Sequence, residues 1–261
     1  QETPDQQSAI DDVLKDLSSE RPMNRLIIGD VGFGKTEVAL RAAIRVVAEG
    51  HQVAVLCPTT ILALQHHRNF IERCFPFEVK TGILTRLQTG NQKKKLLRQL
   101  ESGDINILIG TNAIFNKQVR FHRLGLVIAD EEHRFGVKQK EQLKNLSQLN
   151  PEFPIEYMAM SATPIPRTLH LALSGLREVS VIATPPPHRK AIQTHFMRFN
   201  LAEITKQIRY ELKRGGQVFF VHNRIETLQA QANLLQSAIP EAIIAVASGR
   251  SSKKHMEQTM V

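Results

Sequence analysis

The amino-acid sequence predicts an α/β fold: a parallel sheet covered by helices on both faces, followed by a second, incomplete lobe of the same kind. Three observations carry this reading. Short continuous apolar runs recur along the chain, at Leu26-Ile27-Ile28, Val53-Ala54-Val55-Leu56, Ile105-Asn106-Ile107-Leu108-Ile109, Leu124-Gly125-Leu126-Val127-Ile128-Ala129 and Tyr157-Met158-Ala159-Met160. Segments of helical periodicity separate them, as parallel strands joined by crossovers require. The stretch Ala183-Thr184-Pro185-Pro186-Pro187-His188-Arg189 can continue neither a helix nor a sheet interior, and beyond it the alternation restarts.

Each element follows from its residues. Ile10, Val13, Leu14 and Leu17 recur at helical spacing, and Pro22 breaks the chain after them. The strand at 26–28 leads through a glycine-rich turn into a helix from about Thr36 to Glu49, stopped by Gly50. The strand at 53–56 halts at Pro58, and a helix over roughly 60–74 follows. A strand is expected near 79–84, then a basic helix near 91–102 closed by Gly103. In the second lobe the expected elements are a strand near 193–198, a helix near 201–213 stopped by Gly215-Gly216, a strand at 218–221, a helix near 225–236 and a strand at 242–246. The domain reading is therefore a first lobe over 1–183, a linker over 184–190 and the beginning of a second lobe over 191–261. The opening Gln1-Glu2-Thr3 and the end at Met260-Val261 read as those of a piece of a longer chain.

Composition narrows the function. Of 261 residues, 42% are hydrophobic and 23% charged, the balance of a globular protein and not of a disordered one. No run of about 18 apolar residues exists to span a membrane as a helix. No charged segment precedes an apolar one as in a secretory signal, so a cytoplasmic location is expected. Cys57 and Cys74 are too few for a disulfide framework or a zinc site and read as reduced core thiols. The 34 basic residues outnumber 25 acidic ones, a net charge of +9 that favours a polyanionic partner, nucleic acid above all. The excess is uneven. Residues 1–20 hold six acids and one Lys, whereas Lys80, Arg86, Lys93, Lys94, Lys95 and Arg98 lie in a stretch with no acid. Such a run is also what a solvated helix face looks like.

The chemistry lies where strands end. Gly29-Asp30-Val31-Gly32-Phe33-Gly34-Lys35-Thr36 fits the phosphate-binding pattern G-x-x-x-x-G-K-[ST], and it stands between a strand and a helix. Backbone N–H groups and the helix N-terminus there can cradle phosphates, with Lys35 reaching the β- and γ-phosphates and the Thr36 hydroxyl ligating Mg²⁺. Asp130-Glu131-Glu132-His133 ends the most apolar strand. Asp130 suits Mg²⁺, and Glu131 suits polarisation of an attacking water, a base that hydrolysis needs and nucleotide binding alone does not. His133 has no companion ligands at zinc spacing. Ser161-Ala162-Thr163, Gly110-Thr111 and Pro58-Thr59-Thr60 each follow a strand as well. Singly they are weak, since Ser and Thr commonly end strands; together they put hydroxyls and backbone donors along one sheet edge, which suits gripping a sugar-phosphate backbone. With no Trp and two Tyr, base-stacking platforms are scarce.

This ordered set resembles the superfamily 2 DExH motors of nucleic acid. Residues 29–39 (GDVGFGKTEVA), 130–141 (DEEHRFGVKQKE), 161–169 (SATPIPRTL) and 183–189 (ATPPPHR) resemble those of the bacterial transcription-repair coupling factor (Mfd) family, and RecG, the branch-migration helicase, shares the GDVG and HRFGV signatures. Phe33, Glu132 and the ATPP linker favour the former. The resemblance implies P-loop NTPase, RecA-like lobes with ATP and Mg²⁺ between them. It implies that Gln6 recognises adenine and that residues 29–36 bind the phosphates. It further implies that Thr36 and Asp130 hold the metal, that Lys35, Asp130 and Glu131 are catalytic, and that His133, Ser161 and Thr163 couple nucleotide state to lobe movement. Thr59, Thr60, Arg86, Gly110 and Thr111 fall where the family contacts the DNA backbone.

The parent is thereby expected to be an ATP-dependent translocase on double-stranded DNA that displaces stalled RNA polymerase and recruits excision-repair proteins through regions outside these residues. The family's finger arginines, in a Q-x-x-G-R-x-G-R motif, are not among the 261 residues, and Ser248 stands where relatives carry His. Poor ATP hydrolysis by the fragment itself is the corresponding expectation. The alternatives are a RecG-like branch-migration helicase and a nucleotide-dependent DNA-binding module without turnover.

Overall fold

The computed structural model describes residues 2–136, 139, 142, 154–163, 177–187, 189, 192–252, 255 and 259. Of the family signatures quoted above, residues 137, 138, 140, 141, 164–169 and 188 lie outside them. The chain divides into two compact units, Gln1–Lys190 and Ala191–Val261.

The first unit opens with α1 (Pro4–Leu17), whose N-terminus is closed by a capping box between Thr3 and Gln6. It continues through β1 (Asn24–Gly29), α2 (Lys35–Ala48), β2 (Gln52–Leu56), α3 (Thr60–Cys74), β3 (Thr81–Leu84), α4 (Gly90–Glu101), β4 (Ile107–Gly110), β5 (Leu124–Asp130), β6 (Glu156–Ser161) and β7 (Glu178–Ile182). The seven strands form one sheet in the order β3-β4-β2-β5-β6-β1-β7. Every pairing is parallel, with Ile27 of β1 opposite Met160 of β6 and Ala129 of β5 opposite Leu56 of β2.

Strand alternation sorts the core into two faces. Val55, Ile109, Ile128 and Met160 point to one, where they pack with Ile10 and Val13 of α1, Val38 and Ala42 of α2, and Phe70 of α3. Leu56, Leu108, Val127 and Ala129 point to the other, against Leu96 and Leu100 of α4. Each such fully buried large side chain contributes about 1.5–3 kcal/mol. Cys57 and Cys74 are buried free thiols.

β7 was not among the expected strands. It lies at the sheet edge, and only Ser180 and Ile182 of it are buried, so it lacks the continuous apolar run that marks the inner strands. Ser180 is held by chemistry instead. It accepts from Arg25 Nη1 (2.8 Å) and donates to Asp12 (2.7 Å), while Arg25 Nε donates to Asp16 (2.6 Å), which staples α1, β1 and β7 together.

The second unit corrects part of the sequence reading. Its two helices form, α5 (Leu201–Lys213), capped by Asn200, and α6 (Ile225–Ala238). The strands expected near 193–198, at 218–221 and at 242–246 do not: those residues carry no sheet ladder. A strand exists only through hydrogen bonds to a paired neighbour, however apolar its run. Here Val218 and Phe220 line a groove with Met197 and with Ile204 and Ile208 of α5, while Phe219, Val221 and Ile243 are exposed.

Candidate functional site

An all-parallel sheet sends the C-terminal ends of its strands to one edge, where ligands bind. The strand order divides that edge. β5, β6 and β1 are neighbours and bring residues 130–133, 161–163 and 29–36 together, whereas β3, β4 and β2 bring Arg86, Gly110-Thr111 and Thr59-Thr60 to the other half.

The loop after β1 turns through Gly32 (φ +79°) and Gly34 (φ +88°), left-handed values that a residue with a Cβ resists. No side chain caps α2 where it starts at Lys35, in contrast to the threonine caps of α1, α3 and α4. With no side-chain acceptor at its cap, this first turn can receive an anion. Lys35 Nζ donates to the carbonyls of Gly29 (2.6 Å) and Asp30 (3.1 Å). Burial pulls its ammonium below the ordinary lysine range, opposed by the carboxylates of Glu131, Asp130 and Asp30, so the β1 and β5 loops share one electrostatic field. Val31 is exposed, its N–H donating to Asp30 Oδ1 (2.7 Å), and Thr36 is half-buried in the first turn of α2.

Gln6 lies against this loop. Its Oε1 accepts from the Thr3 N–H (3.0 Å) and its Nε2 donates to the Phe33 carbonyl (2.8 Å). A Cβ on Gly34 would overlap Gln6, so the glycine makes room for it. The amide is engaged with protein at both ends and acts as a strut between α1 and the loop.

Asp130 is buried at the end of β5. Glu131 follows in a left-handed conformation (φ 50°, ψ 49°), a strain of about 1–3 kcal/mol of the kind that collects at functional sites. Its Oε1 accepts from the Ala162 N–H (3.3 Å) and its Oε2 pairs with His133 Nδ1 (3.2 Å). That same nitrogen lies 3.4 Å from Ser161 Oγ, which in turn donates to the Thr163 carbonyl (3.0 Å). The expected base and the three expected coupling residues therefore form one network. Among the described residues no three His, Cys, Asp or Glu side chains converge as a self-sufficient metal site.

On the other half, Thr59 accepts from the Leu62 N–H (3.2 Å) as the N-cap of α3, and Thr60 begins that helix. A Cβ on Gly110 would overlap the Leu84 carbonyl oxygen. Thr111 is buried, and its N–H donates to Leu84 (3.3 Å). Arg86 is exposed, as are Lys80, Lys94, Lys95 and Arg98.

Two residues at this edge were missed in the sequence. Arg189, in the linker, donates to Asp30 Oδ2 (3.2 Å) and stacks its guanidinium 4.7 Å from the Phe33 ring centre. His66 of α3 meets Asp130 at 2.8 Å. The one signal for His66 was an ionisable residue in the otherwise apolar stripe Ala63, Phe70, Cys74.

The DEAD/DEAH box helicase pattern matches residues 3–172, and with them α1, the β1 loop and the β5 and β6 loops just described. The chain belongs to the DEAD/DEAH box helicase family. It is 45% identical over its whole length to a transcription-repair-coupling factor of Myxococcus xanthus, and 43% identical over 259 residues to one of Staphylococcus aureus strain USA300. It spans 21% and 22% of those relatives' lengths. Among solved structures, that of RecG bound to a three-way DNA junction superposes with a TM-score of 0.78 at 34% identity, covering all of this chain and 34% of that one. The Mycobacterium smegmatis helicase Lhr, in a structure with single-stranded DNA and AMP-PNP, superposes with a TM-score of 0.66 at 20% identity over 96% of this chain, a likeness of fold. This helicase fold is RecA-like, and no helix among its described residues is long and apolar enough to cross a membrane.

Proposed function

We propose that this helicase-family chain is the ATP-binding motor core of a double-stranded-DNA translocase of the transcription-repair-coupling kind, acting in the bacterial cytoplasm. The observation that carries the reading is the convergence of Lys35, Asp130 and Glu131 beside an uncapped helix N-terminus, in a chain 45% identical to such a factor. The N–H groups of residues 32–36 bind the phosphates of ATP, and Lys35 exchanges its two carbonyl partners for phosphate oxygens. Thr36 and Asp130 would supply protein oxygens to Mg²⁺, a hard cation that prefers oxygen ligands. When bound, Mg·ATP supplies the phosphoanhydride whose hydrolysis drives movement. Glu131 accepts the proton of the attacking water, and His133 and Ser161 carry its state to the β6 loop. Gln6 holds the loop, and reads adenine by giving up one of its two bonds.

Thr59, Thr60, Arg86, Gly110 and Thr111 track one strand of the DNA backbone from the other half of the edge. The parent displaces stalled RNA polymerase and recruits excision-repair proteins through regions outside these residues. ATP hydrolysis by the parent protein with and without double-stranded DNA tests this. Turnover that rises on duplex DNA is expected, and no turnover in either condition overturns the motor reading.

The likeness to RecG favours a second reading, a branch-migration helicase acting on forked DNA. Capture of the intact parent by RNA polymerase is expected from the first reading alone. A DNA-binding module without turnover is the third, and the water-activating position of Glu131 weighs against it.

A further inference from the structure

His66 is the polar member of the stripe through which α3 packs on the sheet, with Ala63, Phe70 and Cys74. It is 7% exposed. Its Nε2 lies 2.8 Å from Asp130 Oδ2, and the two side chains are both nearly buried. Its Nδ1 is shielded from solvent with no hydrogen-bond partner among the described residues. The Phe70 ring meets the imidazole edge-on, with 6.3 Å between ring centres and 70° between planes.

These facts fix what the ring does. A carboxylate accepts hydrogen bonds, so the proton facing Asp130 sits on Nε2. The orphaned Nδ1 makes this a poor choice for packing alone, where an apolar side chain would leave nothing unmet. What the imidazole supplies is one directed N–H to one oxygen, with the Phe70 ring packed edge-on beside it. That bond restrains the carboxylate about its last torsion and takes Oδ2, which leaves Oδ1 as the oxygen for a ligand at the end of β5.

We propose that His66 is a positioning residue for the metal site. It locks the Asp130 carboxylate in the orientation that presents Oδ1 to a divalent cation carried by a nucleotide's phosphates. The inference rests on the reading of residues 29–36 and 130–131 as a nucleotide site and adds a residue to it. Partners that orient a ligand from behind typically change metal affinity 10–100-fold when removed.

The test compares the binding of a fluorescent ATP analogue (mant-ATP) in Mg²⁺ and in EDTA, in the unaltered chain and in two variants. Gln in place of His66 carries an amide N–H to the same reach; Asn falls short of Asp130. His66→Asn is expected to shrink the gain in affinity that Mg²⁺ confers about tenfold while leaving the affinity in EDTA unchanged, and His66→Gln to keep that gain within about threefold. A purely structural role would weaken binding equally in both conditions. Full retention of the Mg²⁺ gain in His66→Asn, or equal loss in Asn and Gln, overturns the proposal. Absence of any Mg²⁺ gain in the unaltered chain overturns the metal site and this proposal with it, whereas absence of mant-ATP binding in both conditions overturns the nucleotide reading itself.

Discussion

The loops on the two halves of the sheet edge are joined to one another by different means. Those after β5 and β6 are joined by side chains, Glu131 to the Ala162 N–H and His133 to Ser161, and the loop after β1 is held by the Gln6 and Arg189 side chains. Those after β2, β3 and β4 are joined by backbone: the Cys57 N–H donates to Gly110 (2.8 Å) and the Thr111 N–H to Leu84 (3.3 Å). Side-chain bonds of this sort can be exchanged for bonds to a ligand without disturbing a strand, whereas the backbone bonds continue the sheet itself. On the proposed reading, the first half changes partners with nucleotide state and the second holds a fixed surface against a polymer.

This contrast can be broken by substitution. The largest effect is expected from Glu131→Gln, which keeps the side chain's shape and removes the base. Turnover on duplex DNA by the parent protein should fall about 10²–10⁴-fold with Mg·ATP affinity nearly unchanged. An equal loss of affinity would make the Glu131 network structural. On the other half, Arg86→Ala should weaken duplex binding at every sequence and reduce the slope of log affinity against log salt by about one, leaving nucleotide affinity untouched. An unchanged salt slope would remove Arg86 from the DNA surface. Gly110→Ala tests the rigid half through stability. The new Cβ meets the Leu84 carbonyl, and overpacking of this kind costs about 1–3 kcal/mol. The melting temperature should drop by about 2–4 °C for each kcal/mol in a chain of this size. A chain that melts as before would show that β3 and β4 can give way there.

How much of this was legible in the sequence depended on the range of the interactions. The inner strands β1, β2, β4, β5 and β6 announced themselves, because a strand buried on both faces has to be apolar throughout. The P-loop and the 130–133 stretch were legible because their chemistry sits in consecutive residues. β7 was not, since its place at the edge needs few apolar residues and its anchor, Ser180, acts through Arg25 and Asp12, more than 150 positions away. His66 shows in the sequence only as an ionisable residue in an apolar helix stripe, which means nothing until Asp130 is found against it. In the second unit the apolar runs at 218–221 and 242–246 suggest strands by the same criterion as β2, but apolarity selects a strand only where a neighbour completes the ladder. The family resemblance put Gln6 at the adenine; its two amide bonds tie it to Thr3 and Phe33, a place no spacing rule could have supplied.

The central claim, that the half of the edge formed by β5, β6 and β1 holds the nucleotide and the other half does not, is tested most directly by the affinity of Lys35→Ala for Mg·ATP. The ammonium is half-buried and its pairing is charge-assisted, so removing it should cost about 2–4 kcal/mol, roughly 30–1,000-fold in affinity, with duplex DNA binding unchanged. Mg·ATP binding as tight as in the unaltered chain would contradict the account.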